Sequence, residues 1–220
     1  MPISPDEYSA RISRLSNLLS ENGLGGLLLT AESNIDYFSG YRHHAPWTLF
    51  ARPFFEVISA DGRAVLIGHT FLTPEMERTS AVTDIRSYTR SGSAALDPLI
   101  ETLQELGLDK GRIGAELGYE QRLGLTIIDF ESLRRSLPRA RFDDASDILW
   151  KLRMIKSEAE QTLMTKSAAI TSSAFEAVFE AVAPGVSERE LARVAGEVMM
   201  REGADRPGFI VSASGRENHH

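Results

Sequence analysis

The chain contains 220 residues, of which 42% are hydrophobic and 25% charged, so it suits one large globular domain or one domain with part of a second. The formal net charge of −7 argues against nucleic acid as a main partner, because phosphate binding requires a basic surface. The sequence has no cysteine, which excludes disulfides, thiolate metal sites and cysteine nucleophiles and favours a cytoplasmic protein.

The sequence predicts neither export nor a membrane partner. The N-terminus lacks the basic and apolar regions of a secretory signal. The longest apolar run, residues 24–29, is far too short to cross a bilayer.

Helices and strands alternate over the first 145 residues. Ser4, Pro5 and Glu7 predict the start of a helix, and Asn22 and Gly23 predict its end. The further predicted elements are a strand at 26–30, a short helix at 34–38, a hairpin of strands at 54–59 and 64–68, a helix at 73–80, a strand at 82–88, a helix at 94–106, a strand at 112–115, a helix at 121–136 and a strand at 139–143. This order predicts an α/β fold with a mixed sheet flanked by helices.

The pattern changes between residues 145 and 156, and from there it is mainly helical. Ser157 with Glu160, and Ser187 with Glu190, match the capping-box spacing, and each pair opens an amphipathic helix. A strand is predicted at 209–213. Two such helices and one strand cannot close a core alone, so they are expected to pack on the first domain or on a sheet that this chain lacks.

Five short segments follow one another in a particular order. They are residues 30–41, with a strand, an asparagine-bearing helix and Tyr-Phe-Ser-Gly-Tyr; residues 111–116, Gly-Arg-Ile-Gly-Ala-Glu; residues 152–160, Leu-Arg-Met-Ile-Lys-Ser-Glu-Ala-Glu; residues 183–190, with a Pro-Gly turn; and residues 209–215, a strand ending in Ser-Gly. In this order and spacing they resemble the creatinase and Xaa-Pro peptidase family, the pita-bread metallohydrolases.

The resemblance implies a domain organisation. A creatinase-like N-terminal domain is expected at 1–145, a linker at 146–156, and the N-terminal part of an incomplete α+β pita-bread catalytic domain at 157–220. It also implies a homodimer.

The resemblance implies a chemistry for the complete protein as well. Family enzymes bind two divalent metal ions (Mn, Co or Zn) through two aspartates, one histidine and two glutamates in the second half of the catalytic domain, and none of those positions exists in this chain. The complete protein is therefore expected to cleave a C–N amide-type bond in an Xaa-Pro peptide or a small molecule such as creatine, and this chain alone is expected to be inactive.

Two histidines end the chain. By the resemblance, His220 matches a catalytic histidine near the substrate, and His219 is the adjacent alternative with a substrate-binding role. A tag remnant and a terminus without a role are the other readings, but the preceding Ser-Gly-Arg-Glu-Asn favours native sequence.

The segment after residue 41 is rich in reactive and aromatic side chains. In the family this edge can reach the active site of a neighbouring subunit, which implies substrate-binding roles for His43, His44 and Trp47. The alternative is a surface loop with Trp47 packed on its own domain.

Several carboxylates have a simpler explanation than catalysis. Asp143, Asp144 and Asp147 resemble a metal cluster, but they lie at a predicted strand end and helix start, where carboxylates cap helices. Glu116 is interpreted as a satisfied polar group at a strand end.

Two further hypotheses stay open at this point. The chain is then either a non-catalytic module that dimerises or binds a partner through its creatinase-like domain, or a fragment that folds poorly because its apolar helix faces are uncovered.

Overall fold

A computed structural model describes residues 3–43, 52–90, 95–208 and 210. The chain divides into two compact units, Ile3–Ile155 and the residues from Lys156 onward. The first unit contains α1 (Pro5–Glu21), β1 (Gly26–Leu29), α2 (Glu32–Ser39), β2 (Phe55–Ser59), β3 (Ala64–His69), α3 (Thr73–Thr79), β4 (Asp84–Tyr88), α4 (Leu96–Glu105), β5 (Lys110–Ala115), α5 (Ile127–Ser136), β6 (Arg139–Asp144) and α6 (Ser146–Met154), and the second contains α7 (Glu158–Ala181) and α8 (Glu188–Arg201).

Six strands of the described residues form one sheet in the order β4-β3-β2-β1-β5-β6. The neighbours β1 and β2, and β2 and β3, are antiparallel, and the second pair is the predicted hairpin. The pairs β1–β5, β3–β4 and β5–β6 are parallel. The predicted α/β fold with a mixed sheet is confirmed.

Helices cover both faces of this sheet. One face packs Leu27, Leu29 and Leu66 against residues of α1, α2, α3 and α6: Leu15, Leu19, Ile35, Phe38, Met76, Leu149 and Leu152. The other face packs Leu28, Val57 and Ile67 against residues of α4 and α5: Leu99, Leu103 and Leu133. Because both faces are covered, all four residues of β1 are buried, and each buried leucine stabilises the fold by about 1.5–3 kcal/mol.

The two edge strands carry charged side chains. In β4, Arg86 pairs with Asp84 at 3.2 Å and with Glu105 at 2.6 Å. In β6, Arg141 pairs with Asp143 at 2.7 Å. Both edge strands of the sheet, β4 and β6, therefore carry ion pairs.

The helix predicted at 121–136 begins later than the sequence indicates. The Thr126 hydroxyl accepts a hydrogen bond from the Asp129 amide at 3.1 Å, so α5 starts at Ile127. Gly124 lies so close to the Thr30 carbonyl oxygen that a Cβ there would collide with it, which ties this segment to the end of β1.

Helix α6 occupies most of the segment that the sequence predicts as a linker. Ile148, Leu149 and Leu152 on α6 belong to the core of the first unit. The Tyr37 hydroxyl donates to the Leu152 carbonyl oxygen at 3.1 Å, which fixes the end of the helix. The domain boundaries themselves stay a prediction.

The second unit is a helical pair with a small core. Ser157 and Glu160 form a full capping box, with the Glu160 amide 3.2 Å from Ser157 Oγ and the Ser157 amide 2.9 Å from Glu160 Oε2. At α8, Ser187 Oγ accepts from the Glu190 amide at 3.2 Å, and the Glu190 carboxylate pairs with Arg193. The buried residues between the helices are Ala174, Ala195 and Val198, joined by the partly buried Ala177, Val178, Met199 and Ile210.

Aromatic side chains of α7 are solvent-exposed within this unit. Phe175 and Phe179 stack with ring centroids 6.3 Å apart, and 58% and 73% of their surfaces are exposed. Most of the strand predicted at 209–213 lies outside the described residues. Among those residues, no helix has the length and apolar character that crossing a membrane would require.

Candidate functional site

A buried carboxylate joins the ends of two strands. Because β1 and β5 are parallel neighbours, their carboxyl ends lie at the same edge of the sheet, where Glu116 follows β5 and Thr30 follows β1. Glu116 Oε2 accepts from the Thr30 amide at 2.7 Å, the Thr30 hydroxyl at 2.6 Å and the Ala31 amide at 2.9 Å, and Glu116 Oε1 accepts from Asn34 Nδ2 at 2.5 Å. We call this set of residues (Glu116, Thr30, Ala31 and Asn34) the Glu116 clamp.

The electrostatic surroundings of Glu116 explain why a carboxylate is found at this buried position. Glu116 is 1% exposed, and burial raises its pKa, while the hydrogen bonds from Thr30 and Asn34 oppose that rise. The carboxylate lies at the N-terminus of α2, where a negative charge is favoured by the helix dipole. The expectation that Glu116 is a satisfied polar group is confirmed, and the chain itself fills this anion-favouring position.

Asn34 extends the clamp to α6. Its amide also donates to Gln121 Oε1 at 3.1 Å, and its Oδ1 accepts from Arg153 Nη1 at 2.5 Å. Arg11 lies over the Tyr37 ring, with its guanidinium carbon 4.1 Å from the ring centroid, and donates to the Tyr37 carbonyl oxygen at 2.7 Å. These contacts hold α1, α2 and α6 to one end of the sheet.

His43 is the one predicted site residue that the described part of the chain contains. It is buried, and its ring lies 6.4 Å from Tyr41 and 5.7 Å from Phe54, between centroids. Burial, with a smaller contribution from the Glu75 charge, raises the pKa of Tyr41 above its usual range, so this phenol keeps its proton at neutral pH. The hydroxyl is 3.4 Å from His43 Nδ1 and can donate to it in the tautomer that leaves this nitrogen unprotonated.

The other predicted site residues are His44, Trp47, His219 and His220, and all four lie outside the described residues. Their roles stay predictions.

The aspartates near the start of α6 have structural roles. Asp143 pairs with Arg112 at 2.6 Å, which lowers its pKa, and Asp144 Oδ1 accepts from the Ser146 amide at 2.9 Å. Asp147 lies in the first turn of α6. Within the described ranges, no group of three or more histidine or acidic side chains is placed to hold a metal ion, so the two divalent ions implied by the resemblance cannot be assigned to these residues.

Glu56 lies in the middle of β2 and is fully buried, and none of the sequence motifs contains it. Neither of its carboxyl oxygens has a hydrogen-bond partner among the described residues. The signal in the sequence is one acidic residue inside a strand of otherwise apolar neighbours, Phe54 to Ile58.

Comparison with known proteins identifies the family. Residues 11–155 match the model of the creatinase/prolidase N-terminal domain. The chain belongs to this family. Residues 162–220 match the model of metallopeptidase family M24, so two family models occur in order along the chain.

Three proteins to which the chain is similar are named as peptidases or as creatinase. The chain is 26% identical over 208 residues to the uncharacterized peptidase YqhT of Bacillus subtilis, covering 93% of this chain and 53% of that protein. It is 27% identical over 199 residues to the creatinase of a Bacillus species, covering 90% and 46%. Among solved structures, the Xaa-Pro dipeptidase of Bacillus anthracis superposes with a TM-score of 0.73 at 25% identity, covering 90% of this chain and 50% of that one. The chain thus spans about half the length of the relatives it matches.

Proposed function

We propose that this chain is the N-terminal portion of a metal-dependent hydrolase that cleaves a C–N amide-type bond. The observation that carries the proposal is the succession of two family models, the creatinase/prolidase N-terminal domain at 11–155 and the M24 metallopeptidase at 162–220. The names of the relatives, creatinase and Xaa-Pro dipeptidase, favour an Xaa-Pro peptide or a small creatine-like molecule as the substrate.

The proposal assigns a domain to each part of the chain. Residues 1–145 are proposed to be the creatinase-like domain, 146–156 the linker, whose helix α6 packs on that domain, and 157–220 the first part of the catalytic domain. We further propose a cytoplasmic homodimer, which the absence of cysteine and the family resemblance support.

In the complete protein, the two divalent ions (Mn, Co or Zn) are proposed to be held by residues that follow His220. Such ions, when bound, supply Lewis-acid activation of a water molecule and of the substrate carbonyl. The 220-residue chain by itself is therefore proposed to be inactive, a view that its half-length coverage of the relatives supports.

The proposed substrate contacts come from two segments of the chain. His220 is proposed to contact the substrate or its tetrahedral intermediate, with His219 beside it. His43, His44 and Trp47 are proposed to contribute to substrate choice. In support of this, the His43 ring is held in a defined position by its packing against Tyr41 and Phe54.

The first test compares the 220-residue chain with a chain extended by the coding sequence that follows the His220 codon. Hydrolysis of an Xaa-Pro dipeptide and of creatine is measured with added Mn²⁺, Co²⁺ or Zn²⁺ and again with a chelator. We expect metal-dependent hydrolysis by the extended chain and none by the 220-residue chain. Metal-stimulated hydrolysis by the pure 220-residue chain would overturn the proposed inactivity. An extended chain that binds metal and cleaves neither substrate would favour the non-catalytic module.

The second test separates the two terminal histidines in the extended chain. Because a hydrogen-bond donor to a tetrahedral intermediate typically contributes ~10²–10³-fold, His220→Ala is expected to lower kcat/KM by about that factor. His219→Ala is the matched control and is expected to have a smaller effect. Equal activity of His220→Ala and the unmodified protein would remove His220 from the site.

A further inference from the structure

Glu56 is an acidic residue at the centre of an apolar sheet face. Its neighbours across the two adjoining strands are Leu29 and Leu66, and none of its surface is exposed. Because side chains alternate along a strand, Glu56 points to the same face as Ile58, whose neighbours there include Leu27. An ionised carboxylate in such a place would carry a desolvation penalty of several kcal/mol without a compensating partner.

A second carboxyl group shares this face. Leu28 pairs with Ala115, so Glu116 follows beside Leu29 on the far side from Glu56, and the two acids are separated by two strand spacings, or about 10 Å. Glu116 receives four hydrogen bonds, which favour its charged form. Glu56 receives none from the described residues. The proton of this pair therefore belongs on Glu56.

The surrounding helices do not change this assignment. The ionisable groups that are at least partly buried on the elements packed against this face are Glu7, Tyr8 and Arg11 of α1, Glu32, Asp36 and Tyr37 of α2, Tyr41 and His43 after it, Glu75 of α3 and Arg153 of α6. The two cations bond to other groups, Arg11 to Glu7 and Tyr37 and Arg153 to Asn34. Burial, and then the charge of Glu116, raise the pKa of Glu56 well above its ordinary value.

We propose that Glu56 is a proton-dependent switch in the first unit: it is protonated at neutral pH, and its ionisation in alkaline solution destabilises the sheet beside the Glu116 clamp. The inference does not depend on the proposed hydrolase activity. The folded state holds a proton that an unfolded glutamate releases near pH 4.3. The stabilisation from this proton is fully present below that pH and is lost as the pH rises toward the folded-state pKa.

The sign and size of the effect follow from linkage. In the window between the unfolded and folded pKa values, the folded state binds one more proton than the unfolded state. The unfolding equilibrium constant then rises by up to about tenfold for each pH unit. Above the pKa that Glu56 has in the folded state, Glu56 no longer contributes to the pH dependence of the unfolding equilibrium constant.

The test is urea unfolding of the 220-residue chain between pH 5 and 9, followed by tryptophan fluorescence. Both tryptophans, Trp47 and Trp150, belong to the first 155 residues, so the signal reports on the first unit. Glu56→Gln keeps the shape of the side chain but cannot ionise. We therefore expect the unfolding equilibrium constant of this variant to rise less steeply with pH than that of the unmodified chain, by up to a factor of ten less for each pH unit. Glu101→Gln, at an exposed position of α4, should follow the unmodified chain.

Identical pH dependence of Glu56→Gln and the unmodified chain would overturn the proposal. A second measurement does not require the variant to fold. The unmodified chain should show the infrared carbonyl band of a protonated carboxyl group at neutral pH, and the band should disappear in alkaline solution. A spectrum at neutral pH without that band would also overturn the proposal.

Discussion

The two units of this chain use similar local signals and reach different degrees of burial. In the first, a six-stranded sheet is covered by helices on both faces, and large side chains such as Phe38, Phe55 and Leu66 are fully buried. In the second, the buried side chains of the described residues are Ala174, Ala195 and Val198. The second unit nevertheless begins with the full capping box at Ser157.

This difference shows that a well-formed helix start does not imply a well-filled core. A cap satisfies backbone groups within one turn, whereas most of the stability of a helix in a protein comes from packing of its apolar face. The family model for the metallopeptidase matches residues 162–220, and the apolar face of α7 in that segment carries the exposed Phe175 and Phe179.

The two units can be observed separately in one sample. All five tyrosines and both tryptophans lie before residue 156, so their fluorescence reports on the first unit. Far-ultraviolet circular dichroism also includes α7 and α8. Four substitutions test the contrast, in decreasing order of expected effect.

The largest effect is expected from Leu27→Ala in β1. Leu27 is fully buried, so the substitution leaves a cavity in the sheet core and should lower the free energy of unfolding by about 2–5 kcal/mol. Urea unfolding followed by fluorescence measures the loss. Met164→Ala, at an exposed position of α7, is the control in the other unit and should leave the fluorescence transition in place. A loss below about 1 kcal/mol for Leu27→Ala would contradict the assigned core.

The second-largest loss of stability is expected from a substitution in the Glu116 clamp. Glu116→Ala leaves the amides of Thr30 and Ala31 and the side chain of Asn34 without their acceptor, but it also removes a buried carboxylate that is costly to desolvate. We therefore expect a net loss of about 1–3 kcal/mol in the free energy of unfolding. Glu116→Gln retains one oxygen acceptor and should lose less. Hydrogen exchange at Thr30 and Ala31 should accelerate in both variants, and unchanged exchange in Glu116→Ala would rule out the clamp.

The capping box predicts a smaller effect in the second unit. Ser157→Ala removes the acceptor of the Glu160 amide and should cost about 1 kcal/mol, seen by circular dichroism. Ser187→Ala, the matched substitution at α8, removes a single side-chain cap and should cost no more. A shift of the fluorescence transition in Ser157→Ala would show that the two units unfold together.

The smallest effect is expected at Phe179. Because 73% of its surface is exposed, Phe179→Ser should change the free energy of unfolding by no more than about 0.5 kcal/mol. Val198→Ala, at a buried position of the same unit, is the comparison and should cost more. A large loss in Phe179→Ser would mean that this side chain is covered in solution.

The sequence predicted the fold well where the signals are local. The turn between β2 and β3, the cap at Ser4 and the strand before Glu116 depend on neighbours within a few residues, and all three are confirmed. The predicted start of α5 was wrong because the Gly124 amide donates a hydrogen bond to the Thr30 hydroxyl, 94 residues away. No local sequence pattern encodes that contact.

The site was less accessible to sequence reasoning. The hydrogen bonds of Glu116 and Asn34 join residues more than 80 positions apart, so the sequence motifs that contain these residues did not show that they meet. Glu56 was missed because an acidic residue in a strand is ordinarily expected at the surface. Its burial follows from the position of β2 between β1 and β3, which becomes evident only once the sheet is assembled.

The ion pairs on the outer strands have a consequence for the behaviour of the protein at high concentration. An open sheet can recruit further strands through its unpaired backbone groups, and this is a common route to amyloid-like growth. The charges of Arg86 on β4 and of Arg141 and Asp143 on β6 oppose such recruitment, because an incoming strand would have to desolvate them. The charged side chains on β4 and β6 therefore disfavour the addition of further strands at the two edges of this sheet.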